Sequence, residues 1–356
     1  MICCRKLIPN TSRLMGRYIR LKYDFKTNIP ILHHNLSVNC FQWLSKLDNK
    51  EYYSTNKDTG IVCYNLLWSV TLFGLLNFGE EDKEEVPELI MTIKRSILLM
   101  QREEFKKAEQ MLHVALKQAQ SLQNQEAITY IYDLMANLAF DTNSLKKAET
   151  LFLSVLQRLL SSGVAENDLK VIHISLKLAN IYEQKGNIQK AETGYKFCLD
   201  NLQTHLNKNP EDENVLTLLA LTSYWYAQML FSQEKYKDAY KYFEQSYDLC
   251  IKANSREQEQ TVYILNYLGT ISCMMQDYDK AIDYLTTAIE IGKSLPDMVH
   301  LGSVHVNLGD VLLKKGLYAE AKKACIKGRK LAKKREDEES VIEAEKCLSD
   351  IKKLMS

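Results

Sequence analysis

Residues 171–202 read VIHISLKLANIYEQKGNIQKAETGYKFCLDNL. Two apolar-striped segments flank the turn-like KGN, and each carries one small residue among large ones, Ala179 in LKLANIY and Ala191 in IQKAETGY. Small residues let two helix backbones approach closely, and large neighbours fill the space beside them. The second half of this pattern returns along the chain as FKKAEQML, LKKAETLF, YKDAYKYF, YDKAIDYL and YAEAKKAC, centred on Ala108, Ala148, Ala239, Ala281 and Ala321. With Ala191 included, the spacings are 40, 43, 48, 42 and 40 residues. A signature at a nearly fixed period means a repeat architecture, and the repeat decides the fold class.

Eleven to thirteen residues before each of the last five alanines lies a second small residue: Ala136, Ala179, Ala227, Gly269 and Gly309. Each repeat is therefore a pair of helices joined by a turn such as DTNS, KGN, SQEK, MQD or KKG. Gly186 and Gly316 suit a helix end that needs positive φ. This pattern resembles the tetratricopeptide repeat over residues 88–335, in six repeats. At about 34 residues per repeat in that family, these repeats are long. The fold expected is all-α, a solenoid of about six helix pairs closed by a capping helix at 336–356. After residue 88 the only prolines are Pro210 and Pro296, both between repeats, where helices must stop. The tyrosines at helical spacing (Tyr224 with Trp225 and Tyr226, then Tyr236, Tyr240 and Tyr247 beside Phe243) read as core.

The first 58 residues differ in kind and are expected to form a disordered transit leader and linker. Residues 1–30 carry seven basic residues against one acid, while residues 61–356 sum to −5. Arg13, Arg17 and Arg20 fall on one helical face, with Leu14 and Ile19 beside them. An Arg-rich, acid-poor start reads as a mitochondrial transit peptide. Residues 59–79, TGIVCYNLLWSVTLFGLLNFG, contain no charge. A helix of that length crosses about 30 Å, and a single transmembrane helix is expected there. An acidic hinge at 80–87 follows, and a helix opening at Pro87. The acidic body argues against nucleic acid as a partner.

Catalytic and metal-binding patterns are missing. The seven histidines form no HExxH, and the nine cysteines no CxxC. GxxxxGK[ST], GxGxxG after a strand, and GxSxG are absent as well. The expectation is a protein without cofactor, metal, small-molecule substrate or enzymatic activity. Cys198, Cys250, Cys273, Cys325 and Cys347 stand singly in helical patterns and read as small core residues.

The candidate site is the face lined by the first helix of each pair. Members of the repeat family hold a peptide backbone with asparagines there. The matching positions are Asn137 and Asn180, each following its small residue, and Asn307, two before Gly309. Tyr130, Asp133, His173, Tyr224, Gln228, Tyr263 and Asn266 are expected on the same face. An amide offers both donor and acceptor to an extended segment. These amides are expected either to be exposed in a groove or to satisfy neighbouring helix ends. Lys and Arg do not fill the positions of a clamp for an acidic C-terminus.

The strings EAITYIYDLMANLAF at 126–140, LKKAETLFLSVLQRLLSSG at 145–163 and the opening stretch resemble one family in particular, the mitochondrial tetratricopeptide repeat protein 19 family. Its layout is similar too: leader, weak hydrophobic span, acidic link, repeats. The resemblance implies an accessory factor of respiratory complex III in the inner mitochondrial membrane. Such a factor binds the assembled dimer and helps clear fragments of the Rieske iron–sulfur subunit. A transit peptide followed by a stop-transfer span would leave the repeats in the intermembrane space. A soluble adaptor presenting cargo peptides is the alternative, and it needs neither leader nor span.

Overall fold

The computed structural model describes residues 85–253, 259–295, 298 and 300–355. Among them are thirteen α-helices and no strand. The helices pair as α1 (Glu85–Gln101) with α2 (Phe105–Ser121) and α3 (Gln125–Asp141) with α4 (Leu145–Ser161), and α5 (Leu169–Gln184) is followed in the chain by α6 (Ile188–Lys208). There follow α7 (Glu213–Ser232) with α8 (Tyr236–Lys252), α9 (Glu259–Met274) with α10 (Tyr278–Ser294), and α11 (Leu301–Lys314) with α12 (Tyr318–Lys334). The last helix, α13 (Glu338–Met355), closes the series. In number and order these are the helices of the six expected pairs and their cap. The transit leader and the span at 59–79 lie outside the described residues. No helix among the described residues is long and apolar enough to cross a membrane.

The chain divides into two bodies, with the boundary after Ala191. Both are built by one rule. In the second helix of a pair, residues at intervals of four, three and four are buried. They are Ala108, Leu112, Ala115 and Ala119 in α2, and Ala148, Phe152, Val155 and Leu159 in α4. The same register holds Ala239, Phe243, Ser246 and Cys250 in α8, Ala281, Leu285, Ala288 and Gly292 in α10, and Ala321, Cys325, Gly328 and Ala332 in α12. One narrow stripe goes inward, joined by Leu249, Ile289 and Ala324 beside it, and the rest of each helix is half-buried or exposed. The first helices are buried more broadly: α3 hides Ile128 to Ile131 and Asp133 to Ala139 without a break in either run.

The small residues stand where the helices of a pair are closest. A methyl group added at Gly269 would sit 2.6 Å from Leu285 Cγ, and one at Gly309 would sit 2.2 Å from Cys325 Sγ. The turns also follow one plan. At Gly186 (φ 78°) the glycine N–H donates to Glu183 O at 2.9 Å and Asn187 N–H to Tyr182 O at 2.8 Å. Gly316 (φ 85°) repeats this, and so, without glycine, do Glu234 (φ 65°) and Gln276 (φ 65°). Side-chain caps start several helices, among them Asn124 accepting from Ala127 N at 2.9 Å and Asp168 accepting from Lys170 N at 2.8 Å.

Two expectations for core residues need correction. Cys325 and Cys347 are buried but joined as a disulfide between α12 and α13, with Cα atoms 6.5 Å apart. Neighbouring helices bring together two cysteines that are 22 residues apart in sequence. Of the tyrosines, Tyr224 and Tyr226 are core, as is Trp225, but Tyr236, Tyr240 and Tyr247 are half-buried. Their rings are polar at one end and sit at the edge, where Tyr240 and Tyr284 share a hydroxyl contact of 2.8 Å between α8 and α10.

Candidate functional site

In the N-terminal body the predicted residues fall on the first helices α3 and α5. Tyr130 is buried in the apolar cluster with Leu89, Ile93, Ile131 and Leu134, so packing is its first role. One turn on, Asp133 and Asn137 stack at i and i+4. Asn137 Nδ2 donates to the Asp133 carbonyl at 2.8 Å and to its carboxylate at 3.0 Å. The Asn137 carbonyl oxygen accepts from Lys177 Nζ across to α5. Asn180, one turn further along α5, accepts from Gln184 Nε2 at 2.6 Å. His173 precedes Lys177 by one turn on the same face.

This corrects the expectation of exposed amides. Asn137 is 0 % exposed, Asn180 2 % and Asp133 2 %. A buried amide must be paired, because an unsatisfied polar group costs about 1–3 kcal/mol. Here the pairing partner is a cation. Lys177 is 1 % exposed, and its ammonium lies 5.6 Å from the centre of the Phe152 ring. Burial pushes its pKa from 10.5 down to about 8, while Asp133 and Asp141 pull the other way. Burial, with Lys177 beside it, holds His173 well below its ordinary value, so the imidazole is neutral at pH 7. Lys177 is not among the residues that the sequence points to on this face. The one available signal was a lone lysine inside the apolar string ISLKLAN, three residues before Asn180.

In the C-terminal body a polar line of its own runs along α7, α9 and α11. Gln228 donates from Nε2 to Tyr224 OH at 3.0 Å and to Tyr267 OH at 2.9 Å, linking α7 to α9. Asn307 Nδ2 on α11 donates to Asn266 Oδ1 on α9 at 2.8 Å. Tyr263 sits beside His300, ring centres 5.7 Å apart. Tyr224, Tyr263, Asn266 and Asn307 are buried, and only Gln228 is half-exposed. Beneath them Tyr267 stacks on Phe243 at 4.6 Å and meets Tyr224 at 6.0 Å. Tyr267 was not anticipated from sequence. Its position four residues after Tyr263 was the available clue.

The arrangement offers amides, phenols and one shielded ammonium in two lines. Among the described residues no group of three or more His, Cys, Asp or Glu side chains could hold a metal ion.

Comparison with known proteins agrees with this geometry. Tetratricopeptide repeat models match residues 218–294 and 302–335. The chain is 40% identical over 291 residues to the mitochondrial tetratricopeptide repeat protein 19 homolog of Drosophila melanogaster, covering 81% of this chain and 78% of that protein. It belongs to the mitochondrial tetratricopeptide repeat protein 19 family. The human member is 31% identical over 280 residues, covering 76% of this chain and 73% of its own. Among solved structures, the tetratricopeptide sensor protein of the signal-transduction ATPase class from Pyrococcus horikoshii superposes with a TM-score of 0.60 at 17% identity, over 74% of this chain and 40% of that one. A Rap protein complexed with competence and sporulation factor superposes with a TM-score of 0.52 at 15% identity, over 89% and 92%. At such identities these two carry the fold alone. As in other members of the tetratricopeptide class, the helix pairs make a protein-interaction module.

Proposed function

We propose that this chain is a non-catalytic, membrane-anchored mitochondrial factor that binds the respiratory complex III dimer. It supports assembly and maintenance of that complex, including clearance of Rieske iron–sulfur subunit fragments. The observation that carries the reading is identity to the family running through most of the described repeats. The basic leader and the charge-free 59–79 stretch are consistent with it. They fit an inner-membrane protein whose repeats face the intermembrane space.

In this reading Tyr130, Asp133, Asn137, His173 and Asn180 form one docking line, and Tyr224, Gln228, Tyr263, Asn266 and Asn307 another. Because most of these side chains are buried, they shape the surface more than they reach out from it. The half-exposed Gln228 is the group placed to touch a partner directly. The test is affinity purification of the tagged full chain from detergent-solubilised mitochondria. Complex III subunits and Rieske fragments are expected in the eluate. Recovery of cytosolic proteins, with complex III no higher than in an untagged control, would favour the soluble adaptor instead.

A further inference from the structure

The charge of the C-terminal body is segregated. Residues 192–317 carry 11 basic and 17 acidic residues, a net −6, while residues 318–335 carry 8 basic and 1 acidic, a net +7. Most of that positive charge lies on α12, YAEAKKACIKGRKLAKK. The buried register of this helix, Ala321, Cys325, Gly328 and Ala332, leaves Lys323, Lys327, Lys330 and Lys334 on the opposite side at intervals of four, three and four. All four are exposed, as are the flanking Lys322 and Lys333. The row is about 17 Å long at 1.5 Å per residue.

Few ion pairs form along this exposed row, although the adjoining residues 336–356 carry seven acids and three lysines. Lys333 pairs with Glu345 at 3.7 Å. Lys322, Lys323, Lys327, Lys330 and Lys334 have no ion-pair partner among the described residues. The helix dipole favours the cations of the last turn, Lys333 and Lys334, but not those nearer the start. Ile326 stands among the lysines with 43 % of its surface in water.

We propose that this face of α12 rests on an anionic lipid surface. The residue types select that partner. Ammonium groups on flexible stems suit a diffuse array of phosphate headgroups, whereas paired carboxylates on a protein call for the planar fork of arginine. The exposed face has no aromatic side chain on which a base could stack, and the acidic remainder of the body repels a polyanion that would wrap it. An aliphatic side chain among lysines fits the boundary between headgroup and acyl chain. The negative remainder also gives the body a charge asymmetry that would turn α12 toward the membrane. This surface is independent of the 59–79 stretch and of any docking to complex III.

The test is amine footprinting of the full chain by mass spectrometry, with vesicles of phosphatidylcholine alone or mixed with phosphatidylglycerol. On anionic vesicles the acylation rates of Lys322, Lys323, Lys327, Lys330 and Lys334 should fall by about threefold or more. Exposed Lys208 and Lys252 should not change. Protection should vanish near 1 M salt, where the screening length is about 3 Å. In the Lys323→Gln, Lys327→Gln, Lys330→Gln, Lys334→Gln variant the remaining Lys322 should lose protection. Equal protection on neutral vesicles, or none on either, overturns the proposal. Protection by polyglutamate but not by anionic vesicles also overturns it, and assigns the face to an acidic protein.

Discussion

Lys177 on α5 donates to the Asn137 carbonyl oxygen on α3, and the same amide donates to Asp133. A fully buried cation and a buried carboxylate thus communicate through one neutral amide. The arrangement explains why Asn137 sits at the centre of this first-helix face with 0 % of its surface exposed.

The first prediction follows from that bridge. Asn137→Ala removes the acceptor of Lys177 and a donor to Asp133, and leaves both groups buried. Loss of a bridging amide of this kind costs about 1–3 kcal/mol. Urea denaturation of the purified variant should show it as a lower midpoint. A midpoint equal to the parent would mean that Asn137 is the exposed groove amide its sequence position suggested.

A second prediction concerns the charge itself. The Lys177 ammonium should titrate near pH 8 rather than 10.5, because burial disfavours the cation. The folded pKa lies below the unfolded one, so the folded state gains relative stability as pH rises between these values and loses it again as pH falls toward 8. NMR of selectively labelled lysine, with the signal assigned by Lys177→Arg, reads the titration directly. A signal that stays charged to pH 10 would contradict the burial.

Two buried histidines contribute on the acid side. Burial, with Lys327 and Lys293 nearby, lowers His305 to about 4, and His173 is lowered as well. Both are neutral when folded at pH 7. The unfolded chain takes up these protons first, so stability present above pH 6.5 should be lost as pH falls through that value, toward about 4 for His305. His305→Gln should flatten the dependence of denaturation midpoint on pH between 6.5 and 5. A parent protein equally stable at both would refute the assignment.

The fourth prediction concerns the cap. The Cys325–Cys347 disulfide closes a 22-residue separation between α12 and α13, and removing such a crosslink costs about 2–4 kcal/mol. A dithiol reductant should therefore lower the thermal midpoint of the parent. The Cys325→Ala, Cys347→Ala variant should be insensitive to the same reductant. If parent and variant respond alike, the two cysteines are not crosslinked.

These cases mark where sequence was sufficient. The stripe Ala148, Phe152, Val155, Leu159 and the small Ala136 opposite it are periodic and local, so pairing and register could be read from the string. The positive-φ turns were legible where they use Gly186 and Gly316. They were hidden where Glu234 and Gln276 take the same conformation, since those side chains do not announce it. Lys177 was missed because its partner Asn137 lies 40 residues away. Local hydropathy cannot say which of its neighbours will accept a hydrogen bond. The disulfide was missed for a similar reason, as only the folding of α13 back on α12 brings Cys347 to Cys325. The basic face of α12 was in plain view, but its significance depended on knowing that Ala321, Cys325, Gly328 and Ala332 point the other way.

Association with complex III is the central property proposed for this chain. Mitochondria solubilised in mild detergent, resolved on a native gel and probed for this chain, test it directly. The chain should migrate with the complex III dimer, and the co-migrating signal should vanish from mitochondria that lack complex III. Migration of all the chain at its own mass, with complex III intact in the same lane, would contradict the proposed function.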